Sequence, residues 1–259
     1  MNLLALKDYL DSKADYYESE LFVGEDPISV PHRYTQRGDI EISALLTATI
    51  SWGNRKSIIR SAQNMMRLMD DSPYDFICNH TDGDLISLKK FVHRTFKGED
   101  ALFFVKSLNK YYRAHSSLET IFLPKSGEQD LMNSIVRFRS RILSLEPAGR
   151  SGKHIADPSA GSAAKRIHMF LRWMVRSSVR GVDFGIWRRI SPSLLSCPLD
   201  VHTGTTARAL GLLTRRQNDL KAVRELDSVL RRFDPSDPVR YDYALFGIGL
   251  EKKSLSPFM

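Results

Sequence analysis

The chain has 259 residues, 42% of them hydrophobic and 26% charged, an ordinary soluble composition with room for one large domain or two lobes sharing a core. Its formal net charge of +8 makes a polyanionic partner plausible without identifying one. Cys78 and Cys197 are the only cysteines, which excludes a cysteine-held iron–sulfur cluster, a four-cysteine zinc site and a disulfide framework; a reducing cytoplasm is the simple expectation.

In chain order the periodicity is helical nearly throughout. Gly38-Asp39 opens a helix through Ile42, Leu45, Leu46 and Thr49, with Asp39 expected as its N-cap. Trp52-Gly53-Asn54 interrupts it, and a second helix starts near Arg55 with the stripe Ile58, Ala62, Met65, Met66, Met69. Between Leu123 and Pro158 several prolines and glycines bracket a helix from about Gln129 to Leu145. The stretch from Glu146 to Ser159 reads as a loop, and a lobe junction is expected near 146–160. Leu220, Val223, Leu226, Leu230 and Phe233 form another apolar stripe. Asp237-Pro238 then starts a last helix that is expected to stop at Gly247 or Gly249. With no period-two alternation and no Asn-Gly or Asp-Gly turn between β-rich runs, the fold class is all-α, a single domain with its helix stripes packed into one contiguous core. No run approaches the ~18 apolar residues of a membrane span, and no secretory signal begins the chain.

The positive charge is concentrated. Residues 161–190 carry Lys165, Arg166, Arg172, Arg176, Arg180, Arg188 and Arg189 against Asp183 alone, as a phosphate-contacting face requires. Lys165, Arg172 and Arg176 are spaced for one side of a helix, opposite Ile167, Phe170, Leu171 and Met174. Gly161 and Ser162 open that helix, where free N–H groups can hold a phosphate.

Chemistry gathers at Pro198-Leu199-Asp200-Val201-His202. Proline then aspartate ends an extended approach and caps a new helix, whose backbone N–H groups favour a charged carboxylate at Asp200. Such a group serves as a base or stabilises positive charge; the alternative is a plain N-cap. With Arg208-Ala209-Leu210-Gly211-Leu212 behind it, this segment resembles the essential-aspartate region of the helix-hairpin-helix DNA glycosylases, among them endonuclease III and the 8-oxoguanine glycosylases. The segment from Asp234 to Phe246 is similar to the last helix of the archaeal 8-oxoguanine branch. The resemblance covers residues 157–249 well and 39–70 loosely, and it is closest to an uncharacterised bacterial family related to that branch.

The resemblance implies a two-lobed helical fold with a helix-hairpin-helix element, and a repair enzyme that excises a damaged base, an oxidised purine for instance, from double-stranded DNA. It implies Asp200 as the catalytic aspartate. The Leu-Pro-Gly-x-Gly-x-Lys motif that carries a lysine in bifunctional members is absent. Pro158-Ser159-Ala160-Gly161-Ser162-Ala163-Ala164-Lys165-Arg166 is the nearest segment, and Lys165 lies 35 positions before Asp200, a gap longer than usual. A cation in a first helical turn beside Arg166 is disfavoured, which suits a nucleophilic amine; a phosphate contact is the equal alternative.

Trp52, Asn54 and Arg55 stand between two helices, where related glycosylases fill the gap left by a flipped base; caps and packing are the competing roles. Trp173 and Trp187 suit either base stacking or the core, and His202 either orients the aspartate or is structural. His93, His115, His154 and His168 share no metal-ligand spacing, so neither metal nor cofactor is expected. The expected protein is a cytoplasmic monomer acting on duplex DNA away from membranes. The competing readings are a non-catalytic helix-hairpin-helix DNA-binding protein and a helical protein with no nucleic-acid role.

Overall fold

The computed structural model describes residues 3–251. Among them the chain is helical apart from one short hairpin, so the all-α class holds. The first half contains α1 (Leu3–Tyr17), α2 (Glu20–Val23), α3 (Arg37–Thr49), α4 (Arg55–Arg67), α5 (Pro73–Asn79) and α6 (Leu85–Leu88). Strands β1 (Val92–His93) and β2 (Phe96–Lys97) follow, then α7 (Gly98–Tyr112), α8 (Glu119–Phe122) and α9 (Met132–Leu145). The last part carries α10 (Lys165–Val175), α11 (Val201–Ala209), α12 (Leu220–Phe233) and α13 (Tyr241–Leu250). No helix among the described residues is long and apolar enough to cross a membrane.

Local chemistry explains where the boundaries fall. Asn54 caps α4 as its position suggests, with Oδ1 accepting the Ser57 N–H at 3.2 Å. Asp39 is not a cap. Helix α3 begins two residues earlier, and Asp39 instead accepts the Tyr74 N–H at 2.9 Å, tying α3 to the start of α5. Helix α9 starts at Met132 rather than Gln129, because the Asp130 carboxylate takes the Met132 N–H at 2.9 Å. The expected loop after it contains a 3-10 turn, Gly149–His154. The hairpin was not expected: two residues a strand cannot display an alternation, and its turn is formed by Arg94 at φ 54 and Thr95 without a glycine. Pro238 opens a 3-10 turn that runs into α13, and α13 continues through Gly247 and Gly249 to Leu250. Glycine is required at Gly247 because the Tyr17 ring occupies the space of a Cβ.

The chain forms two compact units. One is built from the first segment through Phe22, from Pro124–Asn133 and from Asp157 onward; the other from Val23–Leu123 and Ser134–Ala156. One of these boundaries, at Ala156, falls within the 146–160 segment.

The first unit packs Leu6, Leu10 and Ala14 of α1 against Leu226 and Leu230 of α12 and Ala244, Leu245 and Ile248 of α13. Cys197 and Leu199 belong to this core, so the strand-like approach to Asp200 is anchored in apolar packing. The second unit centres on Phe91, Phe96 and Phe104, with Phe96 and Phe104 stacked at 5.9 Å. It also buries Glu41 completely. The carboxylate accepts bonds from the Tyr112 hydroxyl (2.9 Å), the Ser117 hydroxyl (2.5 Å) and the Leu118 N–H (2.9 Å), while Arg37 pairs with it at 3.1 Å. A buried charge is tolerable only when satisfied this fully.

Candidate functional site

Asp200 has extended backbone angles (φ −119, ψ −168) immediately before α11, the geometry of an N-cap. One carboxylate oxygen, Oδ1, accepts the Thr203 N–H at 3.0 Å. Its backbone carbonyl accepts the Asn218 amide at 2.9 Å as well as the Gly204 N–H at 2.9 Å. Asn218 is itself held by Arg208 (2.6 Å), whose Nε donates to the Arg215 carbonyl at 2.8 Å. Both the side chain and the peptide of Asp200 are therefore fixed, and Oδ2 is left to face outward.

Lys165 meets that second oxygen. Its Nζ lies 3.6 Å from Asp200 Oδ2, with the two side chains 29% and 24% exposed, so the pair is open to solvent and to a ligand. Lys165 is the first residue of α10. The residue before it, Ala164, is buried in the left-handed region (φ 47, ψ 32), a conformation that costs a non-glycine residue about 1–2 kcal/mol. That kink directs the start of α10 toward Asp200.

Behind the pair lies Asp242 of α13. It is buried, ion-paired with Arg172, and approached by the Cys197 thiol at 3.7 Å. Burial pushes its carboxyl above the usual range; Arg172 and Lys165 oppose the shift and Asp200 adds to it. Asp227 of α12 anchors the approach segment, accepting the Cys197 N–H at 3.0 Å. Burial raises its carboxyl to about 6, against hydrogen bonds from Cys197 and Ser196 and the charge of Arg231. Asp242, Asn218 and Asp227 were missed in the sequence. A signal existed for Asp242, which lies in the Asp234–Phe246 segment that stands out in the sequence; Asn218 and Asp227 carry no motif.

The basic helix face has to be corrected. Arg172 and Arg176 do not present themselves to a phosphate: they are 4% and 5% exposed. Arg172 pairs with Asp242 and, at 3.4 Å, with Asp183, and its guanidinium lies 4.3 Å over the Tyr243 ring. Arg176 binds Asp237 (2.7 Å), Glu18 (2.6 Å) and Asp183 (2.7 Å). The reason is that α10 is buried on every side from Ile167 to Val175, so its cations must find carboxylates from elsewhere in the chain. Arg166 is half-buried, and burial lowers its guanidinium to about 10. Trp173 is fully buried, and so is Trp187 beside Phe170 at 5.2 Å; neither offers a face to a base.

The turn before α10 also differs from expectation. Gly161, at φ 86, donates its N–H to the Pro158 carbonyl, and Ser162 donates to Asp157. Both groups are committed within the turn and do not open the helix, which starts at Lys165. His202 is exposed and packs edge-on to Phe246 at 6.2 Å, whereas Thr203 and Asn218 orient Asp200. Trp52, Asn54 and Arg55 belong to the other unit. There Trp52 is half-buried, stacked on His154 at 5.7 Å, and Asn54 is a helix cap. The structure thus brings together Lys165, Asp200, Asp242 and Asn218 out of one unit. Among the described residues no group of three or more metal-type side chains converges.

A family model described as "Protein of unknown function (DUF2400)" matches residues 26–251. The chain belongs to that family. No curated protein and no solved structure matches it. Within the family match lie both members of the pair, together with Asn218, Asp227 and Asp242 that support them.

Proposed function

We propose that this member of the family is a DNA glycosylase of the helix-hairpin-helix type that removes a damaged base, an oxidised purine among the candidates, from duplex DNA. The observation that carries the reading is the 3.6 Å approach of Lys165 Nζ to Asp200 Oδ2, two residues far apart in sequence and partly exposed at the starts of two helices. The resemblance of the 198–212 segment to the glycosylases supplies the reaction class.

The chemistry then follows from the residues. The target nucleotide is extruded at a cost of a few kcal/mol, since its glycosidic carbon is inaccessible in the stack. As the bond to the base lengthens, the sugar gains positive charge, which the fixed Asp200 carboxylate stabilises. Asp200 accepts a proton from Lys165 as its amine attacks the anomeric carbon, and the bond-breaking electron pair leaves with the base. Loss of the ring oxygen bond gives a Schiff base, from which strand nicking proceeds. If water rather than Lys165 attacks, Asp200 takes the proton from water and the product is an intact abasic site.

Base release from a panel of lesion-containing duplexes tests the proposal. Wild type is expected to release at least one oxidised or deaminated base. Asp200→Asn, which keeps a side chain able to cap α11, is expected to lower the rate by about 10²–10³-fold. No release from any lesion by the wild type would overturn it.

A further inference from the structure

The second unit contains a cavity of about 300 Å³ that shares no residue with the Lys165–Asp200 pair; it is lined by Tyr111, His115, Thr120, Ile121, Arg137 and Arg141. Two arginines one helical turn apart on α9, with no carboxylate among the lining residues, make it an anion site by composition. The two cations are held differently. Arg137 is fixed, its Nη2 donating to the Leu123 carbonyl at 2.9 Å and to the Ser134 hydroxyl at 2.6 Å. Arg141 is exposed and makes no ion pair among the described residues. It lines the cavity, and its charge opposes the upward shift that burial gives the Tyr111 phenol.

The lining also holds two aromatic side chains. Tyr111 and His115 stack at 4.5 Å with planes 28° apart, and Tyr111 is pinned by the Thr120 hydroxyl at 2.8 Å. Ile121 adds an apolar patch. The half-buried His115 ring, backed by the buried Tyr111 and in the same lining as two guanidinium groups, suits a ligand with a planar ring at one end and a multiply charged oxyanion at the other. The volume stands at the low end of small-ligand sites.

We propose that this cavity binds a phosphate monoester on a small aromatic carrier, of about the size of a mononucleotide. The phosphate sits between Arg137 and Arg141, and the ring lies on His115, which Tyr111 backs. The inference stands apart from the glycosylase reading, because no residue is shared and no reaction is required.

Isothermal titration with 5′-guanosine monophosphate, inorganic phosphate and an undamaged duplex tests it on the full chain. Saturable binding of the mononucleotide in the micromolar to low millimolar range is expected, tighter than that of inorganic phosphate. Arg141→Ala should weaken it by about tenfold, the loss of a charge-assisted contact. Thr120→Glu, which places a carboxylate at the mouth, should abolish it, and Lys165→Ala should leave it unchanged. Arg141 and Thr120 are both exposed, and unchanged melting temperatures confirm that the variants fold. No saturable mononucleotide binding, equal binding by both cavity variants, or an effect of Arg141→Ala on duplex binding alone would overturn the proposal.

Discussion

At the residue scale, charge was readable and its purpose was not. Arg172 and Arg176 have the spacing of a phosphate-binding stripe, yet each is enclosed by carboxylates drawn from segments far away in the chain. Helical periodicity identifies which residues share a face and is silent on whether another helix covers that face. The distinction has a measurable consequence. Arg176→Ala should destabilise the protein by about 3–5 kcal/mol in urea unfolding, since it removes the buried cation that Glu18, Asp183 and Asp237 share. An arginine serving DNA contact would instead leave stability intact and weaken duplex affinity. Asp200 behaves in the opposite sense. Asparagine caps helices as well as aspartate does, so Asp200→Asn should change stability by less than about 1 kcal/mol while base release falls steeply.

At the element scale, helix starts were legible where a side chain caps them and displaced where a partner intervened. Asp200 was expected as a cap and Asn54 had the cap among its competing roles, and both are caps because the bond each makes is local, to a residue three positions on. Asp39 was not, because Tyr74, 35 positions away, claims its carboxylate. The segment leading to Asp200 depends on a similarly distant group, the buried Asp227 of α12. Its carboxyl titrates near 6 in the folded state against about 3.9 in an unfolded chain, so the folded protein binds that proton more tightly. The stability this contributes is fully present below about pH 4 and is lost as the pH rises through 6. The stability of wild type relative to Asp227→Asn should therefore fall by on the order of 2–3 kcal/mol between pH 4 and pH 7, measured by urea unfolding at each pH. A difference that stays flat across that range would show that Asp227 is ionised throughout.

At the scale of the whole molecule, the all-α class was available from composition and periodicity, and two lobes meeting near 146–160 were expected, whereas the interleaving of the two units was not. The units interleave: 124–133 belongs with the ends of the chain, and 134–156 with the middle. Such an arrangement leaves no single linker for a sequence to display. Asp242 and Asn218 escaped notice for a different reason, since both lie in the one continuous segment from Asp157 onward. Each reaches the site through tertiary packing, Asp242 by the ion pair with Arg172 and Asn218 by its bond to the Asp200 carbonyl. Lys165 and Asp200 were singled out because each stands at the start of a helix behind a proline-containing segment, although the 35 positions between them gave no sign of contact.

The account rests on those two side chains acting as one site, and covalent trapping addresses it directly. Wild type and Lys165→Ala are incubated with oxidised-guanine and abasic duplexes in the presence of borohydride, and the adduct is mapped by mass spectrometry. A reduced protein–DNA adduct on Lys165, absent from Lys165→Ala and strongly diminished in Asp200→Asn, is the predicted result. An adduct on a different lysine, or neither adduct nor base release from any duplex, would contradict the account.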